Sequence, residues 1–201
     1  AKMPYVHGAR WHLVGRLQRN KVKEIVATGV LVHSVDRRSL VDALARRAEL
    51  AGVVQPILVQ VNVGEDPAKG GCSLAETEEL VAYARASPHL AVEGLMTIPP
   101  MPPDGADAAA AARPYFAALR AERDRLQATF PEVAHLSMRM TADLEAAIAE
   151  GATMVRLGTA IFGQRGSEPW RDTHSTQVSA PPRARGAAAS EGPTAASEDE
   201  T

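Results

Sequence analysis

The sequence has a single cysteine, Cys72, among 201 residues, which excludes an internal disulfide framework and any cysteine-based zinc cluster. Aromatic residues are scarce, at 4%, so packing falls mainly to Val, Leu, Ile and Ala. No apolar run approaches the ~18 residues of a membrane span, and nothing at the start reads as a charged-then-apolar leader. Neither sign of charge dominates. The net charge of −2 provides no electrostatic footprint for nucleic acid or for a membrane surface. No G-x-G-x-x-G follows a strand-like run, so the dinucleotide form of an open α/β sheet loses its main mark. These absences leave a soluble, cytoplasmic α/β-type protein as the expectation.

What is present is unevenly spread. From about Ser167 to Thr201 the chain is dominated by Ala, Ser, Pro, Glu and Thr, and such a segment buries too little surface to offset its ordering entropy. Residues 1–166 are therefore expected to form the domain and 167–201 a disordered tail. Within the domain, short apolar runs alternate with helical patterns. The strand candidates are Trp11–Val14, Leu31–Val35, Pro56–Val61, Ala91–Met96, His135–Met138 and Met154–Leu157. Most are nearly continuous apolar runs, as parallel strands covered on both faces require.

Helices are expected over Gln18–Ala27, over Ser39–Leu50 with Gly52 as its stop, and from Ser73, whose Glu76 completes a capping box. A long helix is expected from about Arg113 to Phe130, with Pro114 in its first turn. Thr141 is expected to cap Ala142–Glu150, with Gly151 closing it. Six strand-then-helix units, the last without a clear helix, imply one parallel sheet with right-handed crossovers, either open and doubly wound or part of a (β/α)8 barrel.

In both architectures ligands meet the C-terminal ends of the strands. There the sequence places Gly15, Ser34 with Asp36, Asn62, Thr97, Ser137, and Gly158 with Thr159. Small hydrogen-bonding residues at strand-to-helix turns suit a phosphate; the alternative is ordinary turn and capping chemistry. Arg156 sits inside the apolar run Met154–Leu157, where a charge is costly unless paired or ligand-bound. It is read either as the donor to an anion or a ring nitrogen, or as half of a structural ion pair. His12 and His33 fall in runs taken as two strands apart, without a partner at ligand spacing, and are read as core or capping histidines. No metal site is expected. Asp36, Arg37 and Arg38 read as a solvated helix start, and Cys72 as an inert thiol.

Six motifs then occur in one order. Trp11-His12-Leu13-Val14-Gly15-Arg16-Leu17-Gln18-Arg19-Asn20-Lys21 resembles the W-H-x-x-G-x-L-Q-x-N-K signature of the YggS/PROSC family of pyridoxal-phosphate-binding proteins. His33-Ser34-Val35-Asp36, then Gln60-Val61-Asn62 with Glu65, Lys69 and Gly71, then Gly94-Leu95-Met96-Thr97-Ile98-Pro99 follow in register. Leu136-Ser137-Met138-x-Met140 and Val155-Arg156-Leu157-Gly158-Thr159-Ala160-Ile161-Phe162-Gly163 complete the set.

The resemblance implies a (β/α)8 TIM-barrel type fold similar to the N-terminal domain of alanine racemase, monomeric, binding pyridoxal 5′-phosphate for vitamin B6 homeostasis without turnover. It implies Ser137, Thr141, Gly158 and Thr159 as phosphate contacts with the amides around Met138 nearby, and Arg156 as the group facing the pyridine nitrogen. PLP-dependent apoenzymes are the partners that such a carrier would serve.

There are two departures. The family's cofactor lysine on the first barrel strand and its F-G-E-N segment are not found, so the sequence is expected to hold barrel units three to eight. Lys2, Lys21, Lys23 and Lys69 are its only lysines, none at a predicted strand end, so the cofactor is expected to be held non-covalently. Arg139 stands where the family has glycine, and either obstructs the phosphate or adds a contact to it. Two other readings compete: a racemase- or decarboxylase-like enzyme, for which Tyr5, Tyr83 and Tyr115 are not at strand ends, and a non-functional fragment with unpaired strand edges.

Overall fold

The computed structural model describes residues 8–26, 28–138, 143–158, 161 and 163. Five parallel strands form one sheet in the order β1-β2-β3-β4-β5: β1 His12–Leu13, β2 Leu31–Val35, β3 Gln55–Gln60, β4 Leu90–Thr97 and β5 His135–Met138. Among the described residues the spatial order never reverses, so these strands contain no switch point of the doubly wound kind. The sheet is wound in one direction, as in a barrel wall, which settles the choice the sequence left open. The sixth predicted strand is reduced to a single bridge, Met154 beside Ser137. Among the described residues that segment has a neighbour on one side only, and the Arg156 side chain bonds the Ser137 hydroxyl and the Thr97 carbonyl.

The helices follow the strands: α1 Val22–Ile25, α2 Arg38–Ala51, α3 Leu74–Arg85, α4 Ala108–Gln127 and α5 Leu144–Ala149. Local signals explain the sharpest boundaries. Ser73 and Glu76 exchange the two bonds of a capping box before α3, and Gly52, at φ 64°, ends α2 in the left-handed conformation. Three elements differ from expectation. The first helix shrinks to a 3-10 turn, Arg19–Lys21, and four α residues, because Val22, Ile25 and Val26 are poor helix formers and Gln18 supplies no cap. α4 starts earlier, at Ala108, because Asp107 caps it by accepting from Ala109 and Ala110 and the alanines propagate it, leaving Pro114 inside the helix. α5 starts at Leu144 with Asp143 at its N-cap position; Thr141 and Ala142 lie outside the described residues.

Two layers of side chains flank the sheet. Val32, Ile57, Val59, Leu95 and Leu136 pack against Leu44, Val81, Phe116 and Leu119 of the helices. On the opposite face a smaller cluster joins Leu31, Leu58 and Met96, with Val14, Ile98 and Met154 at its margin and no helical residue. Two irregularities bend the wall: the β2–β3 register shifts between Val32 and Val35, and the β3–β4 register between Ile57 and Leu58. Gly94 sits at the second, where a Cβ would come within 2.1 Å of the His135 carbonyl oxygen, so only glycine lets β4 and β5 pair there. α4 and α5 are joined at buried Glu150, which ion-pairs with Arg113 at 2.8 Å and Arg120 at 3.0 Å.

Candidate functional site

The helix-free face of the sheet carries the chemistry. In β5, Leu136 and Met138 point into the helix-side core, so the intervening Ser137, fully buried, faces the other way. In β2 the register shift falls at His33 and Ser34, the kind of bulge that re-aims a side chain. His33 Nδ1 and Ser137 Oγ thereby meet at 2.9 Å across the inner face. Arg156 reaches the same oxygen, donating from Nη1 at 3.3 Å, and donates from Nη2 to the Thr97 carbonyl at 3.2 Å. Burial lowers the Arg156 pKa from its ordinary value, and the nearby Asp143 carboxylate opposes that shift.

The histidines are the feature that the sequence reading missed. They lie on adjacent strands, β1 and β2, which pair in parallel, not two strands apart. His33 Nε2 contacts His12 Nδ1 at 2.9 Å, with the ring centroids 5.0 Å apart. Burial, reinforced by the charges of His12 and Arg156, pushes the His33 pKa down to about 4. The strand register brings them together: His12 lies opposite Leu31, so His33, two residues along β2, is its diagonal neighbour, which residue spacing alone does not show.

The other predicted residues separate. Ser34 donates to the Gly15 carbonyl at 2.8 Å and Thr97 to the Val61 carbonyl at 2.8 Å, while Asn62 closes its own loop through Asp66; these three are turn and sheet chemistry. The Met138 amide donates to the Met154 carbonyl at 3.2 Å, so its position beside Ser137 is fixed by the ladder. Gly158 is exposed, and a Cβ there would meet nothing within 4 Å. Among the described residues, neither packing nor a left-handed backbone demands glycine at 158. Thr141, Thr159 and Arg139 lie outside the described residues.

Lys21, in the 3-10 turn, and Lys23, in α1, are both exposed, Lys21 paired with Glu24. Lys69 reaches further than its loop position suggested, donating to the Pro99 carbonyl just beyond β4. Tyr83 donates to Asp42 on the helix side, and Tyr115 lies on α4. Cys72 is buried, donates to the Gln60 carbonyl, and has its pKa raised by burial to about 11. Among the described residues no group of three or more His, Cys, Asp or Glu is placed to hold a metal. No helix there is long and apolar enough to cross a membrane.

A family model for the alanine racemase N-terminal domain matches residues 4–166. The pyridoxal phosphate homeostasis protein of Aquifex aeolicus is 47% identical over 156 residues, covering 77% of this chain and 67% of that protein. The chain belongs to the pyridoxal phosphate homeostasis family. The Escherichia coli K12 member of that family is 38% identical over 162 residues, covering 80% and 67% of the two chains. A solved structure of PipY from Synechococcus elongatus with PLP bound superposes with a TM-score of 0.71 at 32% identity, covering 81% of this chain and 74% of that one. The chain spans about two thirds of the length of these two curated family members. The family's racemase-like fold accounts for the one-way strand order.

Proposed function

We propose that this chain binds pyridoxal 5′-phosphate non-covalently and serves vitamin B6 homeostasis by holding and releasing the cofactor rather than by turnover. The observation that carries the reading is Arg156 on the inner face, held by Ser137 Oγ and the Thr97 carbonyl. The described residues fit the group: a fixed guanidinium for the pyridine nitrogen, and Ser137, the backbone about Met138 and Gly158 for the phosphate, to which the family motif adds Thr141 and Thr159. When bound, the cofactor would supply an electron-accepting ring, and a guanidinium opposite its nitrogen weakens that capacity by keeping the nitrogen unprotonated. Arg156 binds and orients; Ser137 keeps its guanidinium in place. Tyr83 is bonded to Asp42 on the helix side and so is not placed as a base on the inner face; the Tyr115 ring of α4 lies beside Gly64, in the loop that follows β3, and Tyr5 lies outside the described residues.

The same reading makes apo forms of PLP-dependent enzymes the recipients and the protein a cytoplasmic monomer; the free buried Cys72 fits a reducing compartment. Residues 1–166 would form the binding unit, with 167–201 outside it. Equilibrium dialysis against pyridoxal phosphate tests the reading. The wild-type chain is expected to retain the cofactor, and Arg156→Met to bind at least about tenfold more weakly, as loss of a charge-assisted contact requires. Equal retention by the two proteins would refute the assignment of Arg156.

A further inference from the structure

The carrier reading uses Arg156 and Ser137 and leaves the histidines without a task, yet one line of hydrogen bonds joins all four. A guanidinium only donates, so Arg156 Nη1 gives its proton to Ser137 Oγ at 3.3 Å. Ser137 Oγ has one proton to give and two lone pairs to receive, so at 2.9 Å it either donates to His33 Nδ1 or accepts from it; we take the first direction. With Nδ1 accepting, a neutral His33 carries its proton on Nε2 and donates it to His12 Nδ1 at 2.9 Å. In this direction donation runs from the half-buried Arg156 to the exposed His12, and it requires Nδ1 of both imidazoles to be free to accept.

We propose that this line makes the grip on pyridoxal phosphate proton-sensitive: neutral His33 orders Ser137 and, through it, Arg156, and a proton taken up by the histidine pair loosens the site and releases the cofactor. The proposal rests on the carrier reading and adds its regulation. His33 acts as a positioning residue. The groups that face it are His12 from β1, Ser137 from β5 and Arg156 beyond the Met154 bridge. Burial, and then the Arg10 charge, disfavour a proton on His12 while Glu93 favours one, and Asp143 faces Arg156. His12 is exposed and His33 buried, so the first proton enters at His12. Once Nδ1 of His12 is protonated it can only donate, so His33 keeps the 2.9 Å contact only by accepting at Nε2 and carrying its own proton on Nδ1. His33 then no longer accepts from, and no longer orders, the Ser137 hydroxyl.

The test compares pyridoxal phosphate binding from pH 8 to pH 4.5 in the wild-type chain and in the double variant His12→Gln/His33→Gln. The phosphate's own second ionisation, near pH 6 for such esters, weakens binding in both proteins alike, so the informative quantity is the ratio of their affinities. Wild type is expected to bind about tenfold more tightly at pH 8, with the advantage vanishing by pH 4.5. A ratio independent of pH would overturn the coupling while leaving the carrier reading intact; no binding by wild type at any pH would overturn both. A second readout needs no cofactor and no variant: ¹⁵N imidazole shifts of the free protein at pH 8 are expected to show His33 protonated at Nε2. A proton on Nδ1 would overturn the direction of the line and the proposal with it.

Discussion

The two faces of one sheet have been given different work. On the helix side, Leu136 and Met138 of β5 join Phe116 and Leu119 of α4 in a continuous apolar layer. One residue along the same strand and one face over, Ser137 is equally buried but is bonded to His33 and Arg156. The helix side stabilises by area removed from water, which is non-directional and tolerant of detail. The inner side depends on donors and acceptors matching one for one, where a single misplaced proton is costly. The comparison teaches that stability and recognition alternate residue by residue along these strands, so substitutions on the two faces should have separable consequences.

The largest separation should come from Phe116→Ala. Phe116 is fully buried on the helix side, and its truncation is expected to cost about 3–5 kcal/mol in urea unfolding. Cofactor affinity of the fraction that stays folded should be unchanged; a matching loss of affinity would break the division between faces.

Acid is the next probe. His33 has a pKa near 4 in the folded chain against 6.5 as its ordinary value. Between those values the unfolded chain binds more protons than the folded one, so stability is full above pH 6.5 and declines as pH falls toward 4. The decline attributable to His33 is on the order of 3 kcal/mol, measurable by denaturant unfolding at pH 7.5, 5.5 and 4. His33→Gln should flatten the profile; an unchanged slope would place the acid sensitivity elsewhere. The smallest expected effect is Ser73→Ala, which removes the capping box of α3 and should cost about 1 kcal/mol with no change in binding.

Legibility in the sequence followed the same division. Leu31–Val35 and His135–Met138 were predicted with the bounds observed, and the capping box and the Gly52 stop were plain, because apolar runs and caps are local signals. The start of α4 was obscured by its alanines, which favour helix without marking where it begins. The inner line was not legible: parallel pairing and a bulge bring His33 to Ser137, 104 residues along the chain, and neither leaves a mark in spacing. The motif resemblance named Ser137 and Arg156 but was silent on what holds them. The lysines follow this pattern, since Lys69 looked like a loop residue and proves to reach the Pro99 carbonyl.

The central claim is that the helix-free face receives the cofactor, and a titration with pyridoxal phosphate followed by residue-resolved NMR addresses it directly. The account predicts that perturbations concentrate on the Arg156 guanidinium, the Ser137 amide and the His33 ring, leaving the helix-side methyls of Leu44 and Leu119 unmoved. Perturbations confined to the helix side, with Arg156 and His33 unaffected at saturation, would contradict it.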